Sequence, residues 1–598
     1  MTSQARSAPA GLSADVAHVA RGSVINLSAM ALGAMLSFAL TVLVSRWLQP
    51  TSAGGFFELV ALFTILSNTL YLGADTGLTR WISRARAVGG LADVRRIVTI
   101  ALLPVLLVGV AAAVAVWVAA PPIARLFLHG VALRAAVVDV RIVAPLVPLG
   151  ALSACVLAAA RGFGRMWPYL AVEGLGKPAL RVGLVLVALI AGLGTRGALV
   201  AWGVPVGIGL AASWLILARL IRSEAPVGRR ASSRSASSPR SASSPRSASS
   251  PRSASSPRPG GSPQSGVSRP PDPRRAWAAP AARTAAGRSS RDRDAGPGRH
   301  RGPRGAGRGR RLAGDFWRFT APRGFAGTFQ VVVVWLDVLL VGALLSRYDA
   351  GVYAAVSKLA LVGAYTLEAT RLSIGPQLSK ALARHEFDHA AELHQSATGW
   401  LVIASWPVYV VIAIFPAVVL GVFGHRYTAG AASLAVLAVA MLVNLGTGNV
   451  TVVLLMGGKS SLSAWNALAA LLVNIGLNLL LLPRIGIVGA AIAWAASIVV
   501  ENVAAVVEVW WTLRIKPFGP GYWLVAGAST ACFGVTGLVA RAVLHQTLPA
   551  LAGATAAGLV AYAAVLYASR ARLQLDGLSA ALLRPIRTAS AQADRQAA

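Results

Sequence analysis

Glu173, Lys177 and Arg181 follow one another at intervals of four inside an otherwise apolar run. That spacing sets all three on one helical face, where Glu173 can neutralise Lys177. Other apolar runs are interrupted by single charges: Asp75, Arg323, Asp337 and Lys358. An ionisable group at the centre of a membrane costs about 2.5–3.5 kcal/mol on insertion scales, so each must meet a partner or an aqueous cavity. Lys177, Arg181, Arg323 and Lys358 are candidates for contact with an anion. Arginine offers a bidentate fork and lysine a point charge. Asp75 and Asp337 are candidates for carrying a proton or a sodium ion. Internal ion pairs, or positions at headgroup level reached by snorkelling, would account for the same residues without a ligand.

Other reactive side chains point to no further chemistry. Cys155 and Cys532 lie far apart in apolar blocks and read as buried hydrophobes, with no disulfide or ligand set. His385, His389 and His394 fit one amphipathic helix. With Arg384, Glu386 and Asp388 among them, a solvated surface helix is the preferred reading over a metal site. The pattern implies no metal, no cofactor and no enzyme. A phosphate-binding glycine loop ending in Lys-Ser/Thr is absent from the sequence, which excludes ATP as the direct energy source. Pro178 follows Lys177 and Pro322 precedes Arg323, so two candidate charges sit beside expected helix bends.

The elements that position these residues are long apolar blocks. Of 598 residues 56% are hydrophobic and 13% charged, and the mean hydropathy is +0.64. That charge share is about half of what a soluble surface needs. The blocks run roughly 20 residues or more, enough to cross a bilayer as a helix. They are continuous rather than alternating, which excludes a β-barrel. The reading is an all-α polytopic membrane protein of about fourteen spans: 23–45, 56–79, 97–120, 140–160, 167–192, 197–220, 319–345, 350–374, 399–423, 430–455, 461–482, 486–511, 522–543 and 547–569.

Loop charge gives an orientation. The connection after the second span carries Arg80, Arg84, Arg86, Arg95 and Arg96. Arg161 and Arg165 follow the fourth span, Arg371, Lys380 and Arg384 the eighth, and Arg514 and Lys516 the twelfth. Opposite-side loops mostly hold one arginine each: Arg46, Arg196, Arg347, Arg426, Arg484 and Arg541. The exception holds Arg125, Arg134 and Arg141. Both termini are therefore expected in the cytoplasm. Much of the net charge of +35 resides in these loops and in residues 222–312, which include four copies of Arg-Ser-Ala-Ser-Ser-Pro from Arg234 to Pro257. Such a composition buries no core and reads as a disordered basic linker. Anionic lipid headgroups are its candidate partners, and no nucleic acid is expected.

The segments flanking the linker resemble each other. Ala53-Gly54-Gly55-Phe56 is echoed by Ala350-Gly351-Val352-Tyr353, and Gly197-Ala198-Leu199 by Gly489-Ala490-Ala491. The offsets, 350 − 53 = 297 and 489 − 197 = 292, are nearly equal. They indicate a tandem repeat of six spans, a plan typical of transporters. The expected organisation is a cytoplasmic tail 1–22, an N-lobe 23–221, the linker 222–312, a C-lobe 313–513, two additional spans in 514–570 and a cytoplasmic tail 571–598.

Several stretches resemble a known family. These are Leu43-Val44-Ser45-Arg46-Trp47-Leu48-Gln49-Pro50, Trp335-Leu336-Asp337-Val338-Leu339-Leu340-Val341-Gly342, Gly448-Asn449-Val450-Thr451, and Asn474-Ile475-Gly476-Leu477-Asn478 leading into Gly486-Ile487-Val488-Gly489. In order and spacing the chain resembles the polysaccharide transporters and oligosaccharide flippases of the multidrug/oligosaccharidyl-lipid/polysaccharide (MOP) exporter superfamily. Family members usually join their lobes by a shorter loop than residues 222–312. The resemblance implies two six-helix lobes as in the MATE transporters, working by alternating access. It implies a lipid-linked oligosaccharide cargo, flipped from the inner to the outer leaflet of the bacterial cell membrane for polysaccharide biosynthesis. A polysaccharide polymerase or glycosyltransferase is then a candidate partner. Such a cargo carries phosphate, which would give Lys177, Arg181, Arg323 and Lys358 their anion. An ion-coupled exporter of small molecules and a non-transporting membrane scaffold are the alternatives.

Overall fold

The computed structural model describes residues 29, 31–87, 91–128, 132–223, 304–519 and 521–570. The terminal tails and the hexapeptide repeats of the linker lie outside the described residues. The described residues up to 223 and from 309 onward belong to one compact unit.

Twelve described helices are long and apolar enough to cross a membrane. Two more complete the fourteen. One is α1, Ala31–Trp47, apolar but shorter. The other is α5, spanning 167–190, whose polarity is raised by Glu173, Lys177 and Arg181. Between and around them run α2 (Pro50–Leu70), α3 (Leu91–Val118), α4 (Leu133–Gly162) and α6 (Gly194–Ser223). The second lobe holds α7 (Arg304–Leu344), α8 (Arg347–Ala360, continuing as Val362–Ala383), α9 (Phe387–Ile414), α10 (Ala431–Gly446 and Val450–Met456), α11 (Ser460–Ile485) and α12 (Ile487–Leu513). Then come α13 (Tyr522–Leu544) and α14 (Leu548–Ala568). The chain is thus a multi-pass membrane protein. Residues such as Leu107, Trp511, Trp523 and Val560 stand exposed, the outward apolar face that lipid would cover.

Local chemistry sets the helix ends. Pro50 opens α2, where its missing N–H costs nothing. Ser346 caps α8, its hydroxyl accepting from the Asp349 N–H at 3.1 Å. Gly486, at φ 62° and ψ −148°, turns the chain between α11 and α12, a conformation that a Cβ would disfavour. The linker is shorter than its composition indicates. Arg222 and Ser223 belong to α6, and 304–312 belong to α7. Once the apolar part of α7 is anchored, each residue added at its start gains a hydrogen bond, and arginine is a good helix former.

The repeat has a physical counterpart. Helices α2 and α8, equivalent in the two lobes, pack directly against each other. Gly54 and Gly351, 351 − 54 = 297 residues apart, meet at their crossing. A Cβ on Gly54 would lie 1.8 Å from the Arg347 carbonyl oxygen, and one on Gly351 2.2 Å from that of Pro50. Small residues let the two backbones approach where lipid offers no hydrophobic drive. Helices α13 and α14 stand outside the repeat: α13 packs on α9 through Val402, Val410, Phe415, Val525 and Phe533, and α14 packs on α13, with Tyr562 against Phe533.

Candidate functional site

A cavity of about 280 Å³ lies between the lobes. Ser37 and Thr41 of α1, Thr64, Asn68 and Tyr71 on and just beyond α2, and Trp202 of α6 contribute to its wall. Glu173, Lys177 and Arg181 enter from α5, and Trp335 and Lys358 from the opposite lobe. Three of the four cations named from sequence therefore share one cavity. The fourth, Arg323, falls within α7, and its side chain lies outside the described residues.

Lys177 is only 5% exposed, and its Nζ donates to Glu173 Oε2 at 2.6 Å and to Ser153 Oγ at 3.0 Å. Arg181 stacks 4.3 Å above the Trp202 ring, with Nε 3.4 Å from the Trp202 carbonyl. Lys358 lies 4.7 Å from the Trp335 ring centroid. Aromatic faces hold these cations without neutralising them. Among the described residues neither Arg181 nor Lys358 has an ion-pair partner. Among the described residues, three cations and one carboxylate leave the wall a formal charge of +2.

The backbone of α5 is adapted at this point. Residues Leu170–Gly176 form a π-helical stretch immediately before Lys177-Pro178. A proline at 178 cannot bond to residue 174, and its ring crowds that carbonyl. The wider turn absorbs the conflict. Gly33 of α1 packs against the same Gly174 carbonyl so closely that a Cβ would come within 2.0 Å of it. Bulges of this kind recur at functional sites.

The lobes touch on both sides of the cavity. At one end Arg46 Nε donates to the Val422 carbonyl at 2.7 Å and Phe38 packs on Phe423 at 5.6 Å. At the other Arg80 lies 3.9 Å over Phe319 and Trp81 meets Phe316 at 6.5 Å.

The two carboxylates are not brought together. Asp75 opens the helix Ala74–Ala87, half-buried in its first turn, where the free N–H groups favour a negative charge. Asp337 is completely buried inside the second lobe. Tyr353 Oη donates to its Oδ2 at 2.9 Å and Asn478 Nδ2 to its Oδ1 at 2.8 Å. Asn474, also wholly buried, flanks the carboxylate without reaching hydrogen-bond geometry. Among the described residues no cation pairs with Asp337.

Sequence reasoning missed one pair. Glu58 of α2 is 1% exposed and lies 3.8 Å from Arg347 Nε of α8, itself 6% exposed. The pair joins the lobes beside the Gly54–Gly351 contact. A lone glutamate within the apolar stretch of α2 was the available signal. The histidine reading needs correction. His385 sits at φ 60° between two helices, and His394 is fully buried in α9, so the three share no solvated helix. Among the described residues no cluster of metal-ligating side chains exists.

No protein-family model matches the chain. It is 26% identical over 173 residues to the probable low-salt glycan biosynthesis flippase Agl15 of Haloferax volcanii. The match covers 28% of this chain and 36% of that protein, so it spans little more than a third of that relative. Among solved structures, the lipid II flippase MurJ in an inward closed conformation superposes with a TM-score of 0.60 at 11% identity, over 92% of this chain and 99% of that one. An inward-facing multidrug-resistance MATE transporter of the MOP superfamily gives 0.54 at 14%, over 82% and 98%. The eukaryotic MATE transporter AtDTX14 gives 0.51 at 14%, over 85% and 99%. With repeat-related lobes meeting at α2 and α8 and a cavity lined from both, the described residues share the fold of these solved structures.

Proposed function

We propose that this protein flips a lipid-linked oligosaccharide from the inner to the outer leaflet of a bacterial cell membrane by alternating access, with both termini cytoplasmic. The observation that carries this reading is the cavity charge. Lys177, Arg181 and Lys358 converge from both lobes, with Glu173 as the one lining carboxylate among the described residues. A phosphate or diphosphate linking lipid to sugar is the anion such a wall would hold, while an organic cation would be repelled. The likeness in fold to a lipid II flippase and the short match to a glycan flippase support the same cargo class. A polysaccharide polymerase or glycosyltransferase would be the natural partner. The test is depletion of the protein: lipid-linked glycan precursors should accumulate on the inner leaflet. Unchanged precursor levels and normal export would sink the proposal.

Asp337 is the proposed coupling group, for a proton or sodium ion. Its carboxylate, the Tyr353 hydroxyl and the two asparagine amides offer oxygen ligands in a site without a counter-cation among the described residues. Asp337→Asn keeps the shape and removes the charge. Transport should fall about tenfold or more and lose its response to an imposed ion gradient, while protein yield stays near native. A retained gradient response would exclude Asp337 from coupling.

The linker is proposed as a tether that touches anionic headgroups rather than as the working part. Removal of residues 230–303 should leave transport within about twofold, because loop length acts weakly on the packed lobes. Complete loss of function with the lobes intact would instead favour the scaffold reading.

A further inference from the structure

A second cavity, about 580 Å³, lies at the end of the molecule where α1 joins α2. One side comes from Arg46, Trp47 and Gln49, and the other from His425, Arg426 and Tyr427 in the connection between α9 and α10. It is therefore built half from each lobe. Loops at this end are poor in cations, and several of their arginines are already engaged. Arg196 bonds Asp139 at 2.9 Å, Arg347 faces Glu58, and Arg541 donates to the Ile414 carbonyl at 3.0 Å. Arg46 and Arg426 are different. They are 380 residues apart in sequence (426 − 46), both are exposed, and neither has a carboxylate partner among the described residues. Yet they line the same cavity.

The site is held in shape. The Arg46 Nε bond to the Val422 carbonyl fixes that guanidinium across the lobe boundary. Its two terminal nitrogens have no acceptor among the described residues. Gly424, at φ 123° and ψ 157°, takes a conformation essentially reserved for glycine and turns the loop so that His425 and Arg426 reach the cavity. Behind them the buried hydroxyls of Ser45 and Tyr427 face each other. Two forked donors and an imidazole make a wall of donors for a polyanion.

We infer that this second cavity binds the phosphate group of a lipid headgroup, at the end of the lobe interface opposite the basic loops. The inference rests on the reading that the cargo is a phosphate-bearing lipid-linked glycan and that this end faces outward. The site then acts as a second station, receiving the headgroup after it leaves Lys177, Arg181 and Lys358. The phosphate could belong to the cargo or to a bulk anionic phospholipid.

The test titrates inorganic pyrophosphate onto the full chain in nanodiscs of zwitterionic phosphatidylcholine. Three proteins are compared: native, Arg46→Gln with Arg426→Gln, and Lys177→Gln with Lys358→Gln. Native protein should bind at two classes of site, and the Arg46/Arg426 variant should lose one, its affinity falling about tenfold or more. Arg426→Gln alone guards against misfolding, since Arg426 is exposed, and should give part of that loss. In phosphatidylglycerol discs the difference between native and Arg46/Arg426 proteins persists if the site takes cargo and vanishes if bulk lipid fills it. Either pattern supports the site and names its source. Equal binding by native and Arg46/Arg426 proteins in phosphatidylcholine, or none by native protein, overturns the inference. If only the Lys177/Lys358 change weakens binding, this inference fails and the proposed function stands. If only the Arg46/Arg426 change does, the second site stands and the central-cavity assignment fails.

Discussion

Lys177→Ala combined with Arg181→Ala is expected to reduce outward transport of the lipid-linked glycan by about two orders of magnitude or more, because each charge-assisted hydrogen bond contributes about 1.5–3 kcal/mol. The two residues supply two of the three cations on the central cavity wall, so its formal charge falls from +2 to 0. Removing Lys177 also leaves Glu173 facing the cavity without its 2.6 Å partner, adding repulsion toward a phosphate. Arg181→Lys distinguishes charge from shape. It keeps the charge but loses the planar stack on Trp202, so it should recover part of the activity. The measurement is the rate at which labelled precursor becomes accessible at the outer leaflet. Undiminished transport in the double variant would remove the central cavity from the mechanism.

Glu58→Ala should be the most damaging single change to stability, costing about 3–5 kcal/mol, because it strands Arg347 as a buried charge. Glu58 and Arg347 are nearly inaccessible, with the Gly55 and Gly342 backbones pressed against them, so water cannot replace the lost carboxylate. The companion variant Glu58→Met with Arg347→Met should be far milder, since a buried pair is worth little relative to apolar groups of similar volume. Denaturation midpoints of the purified proteins check both. A further consequence is conformational. The pair ties α2 to α8, so its loss should favour separation of the lobes at that end, read as faster labelling of a cysteine placed at Gln49. A Glu58→Ala protein as stable as native would show that the pair is not an interlobe tie.

Much of this architecture is written in local pattern. Apolar run length determines most of the spans, because helical rise and bilayer thickness leave little choice. The common face of Glu173, Lys177 and Arg181 follows from helical periodicity alone, and the 2.6 Å bond between the first two is its consequence. The equal motif offsets carry the repeat, and the meeting of Gly54 with Gly351 is its three-dimensional form. Pro178 marks a place where the helix beside Lys177 must adapt, but the π-helical stretch that does so is not legible in the sequence.

Helix pairing is another matter, because it depends on how faces pack rather than on neighbours in the chain. No spacing places Lys358 of α8 opposite Arg181 of α5 across one cavity. Asp337 could be read as buried, but Tyr353 and Asn478, 16 and 141 residues away, become its partners only when α7, α8 and α11 are packed together. His394 looks solvent-facing among charged neighbours and is buried, because α9 turns that face inward. A sequence specifies how many charges enter the membrane and at what depth. Which of them face one another is decided where small residues such as Gly33, Gly54 and Gly351 let backbones approach, and that gathers Lys177, Arg181 and Lys358 into one cavity lined from two lobes.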